Sequence, residues 1–315
     1  MSRNLLPAVL AAIGLIGAAA PASAQTQPRA AASIDAPPAG FVSRTAAVNG
    51  VRIHYVSSGS GPALVLLHGF PQDWAEYRAI LPRLSRRHTV VVPDLRGIGG
   101  STGDRGFDDV TMAEDVHQLV VALRLSRMYL VGHDIGGQVA YAYVRRYPQT
   151  LRGAMILDSP LAGLDGWDQA LSNPAAAWHV GFLQTPGLSE QLLAGRQAVF
   201  LGHFLDFGRH TPAEKAHFLR AYATPANMRA VFGVYRAFPA NAAWNKAQRA
   251  PNATPLVIVN GEKSPFAQQQ PRFVAALRAS GFHSVETALV PGAMHYLVGD
   301  NPTAVADLIE RHAGR

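Results

Sequence analysis

Short apolar runs alternate with longer helical stretches along most of the chain, and this alternation constrains the fold more than any other feature. Each run is bounded by Gly, Pro or Asp and lacks the polar alternation of a strand with one wet face. The runs are Ala63–Leu67, Thr89–Val92, Met128–Val131, Ala154–Leu157, Leu256–Val259 and Val285–Val290. Strands covered by helices on both faces have this pattern, so the sequence predicts an α/β fold with a mostly parallel, doubly wound sheet.

Three local signals add detail to this pattern. Asn49-Gly50 separates the β-rich runs Thr45–Val48 and Val51–Val56 and predicts a hairpin. Thr111 to Glu114 form a capping box, which predicts that a helix starts there. Asn301-Pro302 predicts the start of a final helix, with Asn301 as its N-cap.

The strand pattern is interrupted between residues 161 and 250, where the chain reads as helices rich in aromatic residues. Strand-like runs resume after residue 250. The simplest organisation is a core made of residues 41–160 and 251–315, with residues 161–250 inserted as a helical cap.

The first 24 residues are typical of an export signal. Arg3 supplies the positive charge, Leu5–Ala20 the apolar stretch, and Ala22-Ser23-Ala24 a small-residue cleavage site. Residues 25–40, rich in Ala, Pro and Gln, then read as a flexible leader. We expect an exported protein, periplasmic or secreted, with no stable membrane anchor after cleavage. An uncleaved anchor or a buried helix is the alternative.

Charge and composition exclude several classes of protein. The 315-residue chain carries a net charge of +7, but its basic residues do not cluster as a nucleic-acid-binding face requires. No glycine-rich phosphate loop or metal-ligand cluster suggests a cofactor, and Asp94–Gly97 after a strand reads as a structural turn. There is no cysteine, so stability must come from the core, for which 48% hydrophobic residues are available. The oligomeric state stays open, with a homodimer as one option.

The segment Val131–Gly137 is the strongest chemical signal. It has the pattern of a nucleophile elbow, in which small residues flank a central side chain exposed on a tight turn between strand and helix. The central residue is Asp134 rather than serine. A carboxylate that attacks an sp³ carbon forms an ester that water can cleave, so epoxides and alkyl halides are its natural electrophiles. The alternative is an aspartate that only caps the following helix.

Other candidate site residues follow from their positions after strands. His68–Pro71 stands where this kind of site builds its oxyanion hole, so the backbone N–H groups of Phe70 and Ile135 are the expected donors. His295, in the loop after the last strand, is the candidate base. Asp158 is favoured as the acid that orients it, with Glu262 as the alternative acid.

These motifs resemble the branch of the α/β-hydrolase fold that contains epoxide hydrolases and dehalogenases, and within it the exported Cif-type epoxide hydrolases. The likeness runs from about Ala47 to the C-terminus. The matching motifs are His68–Pro71, Pro93–Gly97, Gly132–Gly136 and Gly292–His295 in the core, with Trp178-His179, Leu193–Arg196 and Tyr235–Ala237 in the cap.

The resemblance implies hydrolysis of an apolar epoxide to a vicinal diol, without a cofactor. It also implies that a histidine and a tyrosine in the cap, here His179 and Tyr235, bind and protonate the epoxide oxygen. Without the resemblance, the alternative is that both are ordinary cap residues, with Tyr235 as a buried aromatic at helical spacing. The family usually has glutamate where this chain has Asp158, which keeps Glu262 in play, and often has glycine where it has Pro71.

Two alternative functions remain. Haloalkane dehalogenases have a tryptophan after the nucleophile, and haloacetate dehalogenases have arginines one and four residues after it; here those positions hold Ile135 and Gln138. Trp178 beside His179 leaves room for a halide site. A non-catalytic binding protein on the same fold is the other alternative, although this chain keeps every candidate catalytic residue.

Overall fold

The computed structural model describes residues 35–314, without the side chains of residues 174–176. The predicted signal peptide, residues 1–24, and most of the predicted leader lie outside the described residues. The part of that leader that is described, residues 35–40, contacts the folded protein. The Asp35 carboxylate accepts a hydrogen bond from His217 Nδ1 at 2.8 Å and pairs with Arg220. These contacts concern only the described end of the leader, and the flexibility of residues 25–40 stays a prediction.

A single eight-stranded sheet organises the described residues. Its strands are β1 (Val42–Val48), β2 (Val51–Ser58), β3 (Ala63–Leu67), β4 (Thr89–Pro93), β5 (Met128–His133), β6 (Leu151–Leu157), β7 (Leu256–Gly261) and β8 (Val285–Val290). They lie in the order β1-β2-β4-β3-β5-β6-β7-β8. Only the β1–β2 and β2–β4 pairings are antiparallel. Every residue of β3, β5 and β7 is buried, which explains the absence of polar alternation in their sequences.

The helices divide between the two faces of the sheet and the cap. They are α1 (Leu81–Leu84), α2 (Asp109–Ala122), α3 (Ile135–Arg146), α4 (Trp167–Leu171), α5 (Pro174–Gln184), α6 (Leu188–Leu193), α7 (Gln197–Leu205), α8 (Pro212–Ala221), α9 (Pro225–Ala247), α10 (Gln270–Ala279), α11 (Leu297–Asp300) and α12 (Pro302–Ala313). Helices α4 to α9 form the cap between β6 and β7. Among the described residues, no helix is both long and apolar enough to cross a membrane.

The structure confirms the predicted sheet and hairpin and corrects one helix start. The hairpin turns at Asn49-Gly50 as expected, and Asn301 caps α12 by accepting a hydrogen bond from the backbone of Ala304. Helix α2, however, begins at Asp109. Its cap is Asp108, whose carboxylate accepts from the Thr111 N–H at 2.9 Å, so the prediction of Thr111 as the cap is wrong. An aspartate three residues earlier competes for the same role.

The cap is fastened to the loops at the carboxyl edge of the sheet. Tyr222 donates its hydroxyl to the Gln72 carbonyl at 2.7 Å, and His217 on α8 lies 2.9 and 3.0 Å from the two carboxylate oxygens of Asp73. These contacts reach the loop that follows β3. A space therefore forms between the cap and the sheet edge, where the carboxyl ends of β3, β5 and β6 meet.

Candidate active site

Asp134 stands at a strained turn between β5 and α3. Its backbone has φ 49° and ψ −119°, a conformation that non-glycine residues rarely adopt. The turn is so tight that a Cβ on Gly136 would lie 2.5 Å from the His68 carbonyl oxygen, and one on Gly132 would lie 2.2 Å from the Gly136 carbonyl oxygen. Both glycines are therefore required by space. The predicted elbow geometry is present, with aspartate at its tip.

The loop after β3 brings a backbone donor to the Asp134 carboxylate. The Phe70 N–H donates to Asp134 Oδ1 at 3.0 Å. Gly69 lets the loop come this close, since a Cβ there would lie 2.8 Å from the Asp134 Cβ. Ile135, the second expected donor, is the first residue of α3, where a backbone N–H has no partner within its helix. Its hydrogen bond to the reacting oxygen stays a prediction.

His295 lies between two carboxylates. Its Nδ1 is 2.8 Å from Asp158 Oδ2, and its Nε2 is 3.7 Å from Asp134 Oδ2. The first distance is a hydrogen bond and the second is longer than one. Because Asp158 accepts at Nδ1, that nitrogen carries the proton and Nε2 presents a lone pair toward the nucleophile. The structure thus brings the predicted nucleophile, base and favoured acid together.

The Asp158 carboxylate is fully surrounded by donors. It is buried, and besides His295 it accepts from Asn260 Nδ2 at 3.0 Å, the Gly261 N–H at 3.2 Å and the Ser264 hydroxyl at 2.8 Å. These donors hold the Asp158 carboxylate in place against His295, where it can orient the imidazole.

Glu262, the alternative acid, points elsewhere. Its side chain is exposed, and its Oε2 accepts from the Gly292 N–H at 2.7 Å. The hydrogen-bond partner of His295 Nδ1 is Asp158, so the structure does not bring Glu262 into the site. Glu262, which follows β7, instead makes a surface contact with the loop that follows β8.

A cavity of about 320 Å³ opens beside Asp134, between the sheet edge and the cap. This is large enough for a small organic molecule. Its walls are mostly aromatic and aliphatic, and among its described lining residues none is Lys or Arg. The aromatic lining residues are Phe70, Trp167, Trp178, Phe204, Phe207, Tyr235, Phe238, Phe266 and Tyr296.

The two cap residues singled out by the sequence both line this cavity. The rings of His179 and Tyr235 meet edge-on with centroids 5.5 Å apart, and the Tyr235 ring packs in the same way on Phe70 at 5.6 Å. Burial, reinforced by the charge of Asp134, raises the pKa of Tyr235 well above its ordinary value of 10. The phenol therefore keeps its proton at neutral pH and can donate it toward an oxygen in the cavity.

Sequence reasoning did not assign a role to three other residues near the nucleophile. Tyr296 lines the cavity, and burial together with the Asp134 charge raises the pKa of its phenol well above 10. Glu76 and His133 lie buried behind the site, 3.1 Å apart. His133 directly precedes the nucleophile and Tyr296 directly follows the base. Their position next to catalytic residues was the one sequence feature that could have identified them. Glu76 had none, because a glutamate in a loop ordinarily faces solvent.

The turn at Asp94 is structural, as expected. Asp94 accepts from the backbone N–H groups of Trp74 and Gly100, both at 2.9 Å, and its Oδ2 lies 2.7 Å from His54 Nδ1. Within residues 35–314, no group of His, Asp or Glu side chains is arranged to hold a metal ion. The Asp94 carboxylate instead hydrogen-bonds to the loops at the edge of the sheet.

The sequence is similar to proteins named epoxide hydrolase and to one named dehalogenase. A segment of 114 residues is 46% identical to a soluble epoxide hydrolase from Corynebacterium sp. (strain C12), covering 36% of this chain and 40% of that one. A segment of 155 residues is 37% identical to a fluoroacetate dehalogenase from Burkholderia sp., covering 47% and 50%. The chain thus spans half or less of these two relatives. Epoxide hydrolase 3 of Xenopus tropicalis is 29% identical over 83% of this chain and 74% of its own.

Solved structures agree in fold over nearly their whole length. Cfl2 from Burkholderia cenocepacia superposes with a TM-score of 0.79 at 27% identity, covering 87% of this chain and 96% of its own. The epoxide hydrolase CorEH gives 0.78 at 28% identity, covering 86% and 98%. The family described as having the alpha/beta hydrolase fold matches residues 62–302, well over half of the sequence. This protein therefore belongs to the α/β-hydrolase fold family.

Proposed function

We propose that this protein is an epoxide hydrolase that opens a small apolar epoxide through a covalent ester on Asp134. The observation that carries the proposal is the aspartate at the elbow, with one oxygen on the Phe70 amide and the other facing His295. A carboxylate nucleophile suits attack on sp³ carbon. Similarity to several proteins named epoxide hydrolase supports the same chemistry.

In the first step, Asp134 Oδ2 attacks a ring carbon of the epoxide. A carbon–oxygen bond forms to the carboxylate while the ring bond from that carbon to oxygen breaks, and its electron pair goes to the ring oxygen. That oxygen takes a proton from the Tyr235 phenol, with His179 as the neighbouring polar contact in the cavity wall. The product is a hydroxy ester of Asp134.

In the second step, water adds to the ester carbonyl carbon and gives its proton to His295 Nε2. The developing oxyanion is Oδ1, the atom that already accepts from the Phe70 N–H. Collapse breaks the bond from the carbonyl carbon to the alkyl oxygen. The leaving diol oxygen takes the proton from His295, whose imidazolium is stabilised by Asp158. The second proton of water is left on the Asp134 carboxyl, and its transfer to the Tyr235 phenolate restores both groups for the next turnover.

The cavity supports a neutral, apolar substrate. Its aromatic walls favour aryl or alkyl groups, and the described lining offers no fixed cation to hold a carboxylate. Styrene oxide, with an aromatic ring beside the epoxide, is a suitable first probe.

The test is where oxygen from water appears in a single turnover. In ¹⁸O-water, excess wild-type enzyme should place the label on Asp134 and leave the first diol unlabelled, because the diol oxygen comes from the carboxylate. His295→Gln should react once and stall, with the mass of one epoxide on the peptide that contains Asp134. Label in the first diol would mean that water attacks the epoxide directly and would refute the ester mechanism.

Dehalogenation is the second candidate, and the similarity to fluoroacetate dehalogenase favours it. The same carboxylate could displace a halide, and the indole of Trp178 in the cavity wall is a candidate halide contact. Against haloacids stand Ile135 and Gln138, which line the cavity where a carboxylate clamp would be needed. Parallel assays with styrene oxide, phenethyl bromide and fluoroacetate, measuring diol and halide, separate the activities. Halide release without diol formation would make this candidate the function.

A further inference from the structure

A buried acid–histidine pair lies directly behind the site and is not used by the two steps described above. Glu76 Oε1 is 3.1 Å from His133 Nδ1, and the two side chains are 3% and 1% exposed. Neither lines the cavity. Burying a carboxylate is costly unless it is paired and hydrogen-bonded, so this pair calls for a structural or functional reason.

The ion pair is joined to two catalytic segments by one hydrogen bond from each of its members. Glu76 Oε2 accepts from the Gly69 N–H at 2.8 Å, one residue before the amide that binds Asp134. His133 Nε2 donates to the backbone carbonyl of His295 at 2.9 Å. His133 itself immediately precedes the nucleophile. Three consecutive contacts therefore tie the oxyanion loop, the elbow and the base loop together: Gly69 to Glu76, Glu76 to His133, and His133 to His295.

The protonation of His133 follows from its surroundings. The His295 carbonyl can only accept, so Nε2 must carry a hydrogen. Burial disfavours the imidazolium, but the Glu76 carboxylate, helped by the charges of Asp134 and Asp158, outweighs it and raises the pKa of His133 to about 9. The rings of His295 and Tyr296 complete the surroundings, with centroids 4.8 and 6.3 Å away. At neutral pH the ring is therefore charged: Nε2 donates to the His295 carbonyl, and Nδ1 forms an ion pair with Glu76 at 3.1 Å without hydrogen-bond geometry.

We propose that Glu76 and His133 are positioning residues that hold the Phe70 amide and His295 in register with Asp134 for hydrolysis of the ester. The inference rests on the proposed ester mechanism. Ester formation needs the carboxylate and the donors of the cap. Hydrolysis needs the oxyanion amide and the base at the same time, on opposite sides of one carbonyl group, and these are the two segments that the pair connects.

Two substitutions at Glu76 separate positioning from charge. Glu76→Ala removes the link to both Gly69 and His133. Glu76→Gln can keep it: the amide oxygen accepts from Gly69, and the amide N–H₂ donates to a neutral His133 that still donates to the His295 carbonyl. Glu262→Gln is the matched control, because that carboxylate also accepts a backbone N–H in the base loop but has no contact with His133.

Rapid-quench kinetics with styrene oxide measure the two steps separately. We expect Glu76→Ala to slow ester hydrolysis about 10²-fold, the cost typical of a lost oxyanion donor, so that the ester accumulates. Ester formation should change only a few-fold, and Glu76→Gln should recover most of the hydrolysis rate. Wild-type hydrolysis in Glu76→Ala, or equal slowing of both steps, would overturn the proposal.

A second measurement needs no substrate and keeps the two proposals distinguishable. The ring ¹⁵N shifts of His133 should show a doubly protonated ring up to about pH 9 in the wild type and a neutral ring at pH 8 in Glu76→Gln. A neutral His133 at pH 7.5 in the wild type would overturn the pair. Failure of the wild type to form either ester or diol, with a normal His133 titration, would instead refute the proposed function alone.

Discussion

At the scale of single residues, the orientation of His295 is the feature most open to test. Asp158→Asn removes the charge that faces Nδ1 and places an amide among donors that need an acceptor. By analogy with other histidine–aspartate pairs, we expect ester hydrolysis to slow by about 10³–10⁴-fold. Glu262→Gln should hydrolyse the ester at nearly the wild-type rate. Comparable losses in the two variants, measured in single turnovers, would contradict the assignment of Asp158.

The proton for the epoxide oxygen is a second test at this scale. Tyr235→Phe keeps the ring packing on Phe70 but removes the phenol, so ester formation from an epoxide should slow by about 10²-fold. An alkyl bromide, which has no ring oxygen, should react at a nearly unchanged rate. Tyr222→Phe is the matched control, since that buried phenol donates to a backbone carbonyl outside the cavity. Unchanged epoxide opening in Tyr235→Phe would return Tyr235 to a packing role.

The sequence predicts a strand end but not the direction of the side chain that follows it. Asp158 directly follows β6 and Glu262 directly follows the neighbouring strand β7. From the sequence, either side chain could reach His295. The structure distinguishes them because Asp158 turns inward on a left-handed backbone, φ 42°, and meets the donors of β7 and its loop. The backbone conformation of this one residue is set by tertiary contacts, so neither residue propensities nor the spacing of motifs along the sequence predicts it.

At the scale of elements, the sheet was predictable because burial on both faces removes polar residues from the strands. The elbow was predictable for a different reason: its tight turn requires small residues on both sides of Asp134, and Gly132 and Gly136 stand there. Glu76 shows the opposite case. It is buried only because a short 3₁₀ helix, Trp74–Tyr77, turns its side chain under Gly69, and nothing in the local sequence distinguishes it from a surface acid.

The attachment of the cap is an element-scale property with its own test. His217 on α8 bridges Asp73 of the core and Asp35 of the N-terminal segment. His217→Phe keeps the edge-on contact with Trp74 but leaves the buried Asp73 with only the Ala75 N–H as a donor, so we expect a loss of about 1–3 kcal/mol of stability. Hydrogen exchange should speed up in residues 212–221 and stay slow in the sheet.

Lys215→Ala is the control for that experiment. Lys215 also lies on α8 and pairs with Asp206 at 2.5 Å, but this pair is at the surface, where such contacts contribute little. Exchange in α8 should therefore match the wild type. Equal protection of α8 in His217→Phe and Lys215→Ala would show that the cap does not depend on the histidine.

At the scale of the whole molecule, three buried carboxylates besides Asp158 lie against histidines at the carboxyl edge of the sheet. The pairs are His54–Asp94, His133–Glu76 and His217–Asp73. Burial alone would lower the pKa of each histidine, but the facing carboxylate dominates and raises it. Because the chain has no cysteine, these charged contacts and the apolar core are what hold its loops in place.

The last prediction is therefore the dependence of stability on pH. A histidine whose pKa is higher in the folded state stabilises fully below its unfolded pKa of about 6.5, and this stabilisation is lost as pH rises through the folded value. For His133 that window runs from about 6.5 to about 9, and the loss is on the order of 3 kcal/mol. The free energy of unfolding in urea should thus fall from pH 6.5 to pH 9. Glu76→Gln lowers the folded pKa of His133. The free energy of unfolding of this variant should therefore fall less between pH 6.5 and pH 9, by a similar amount, while the contributions of His54 and His217 are unchanged. Parallel curves for the two proteins would mean that Glu76 does not hold the proton on His133.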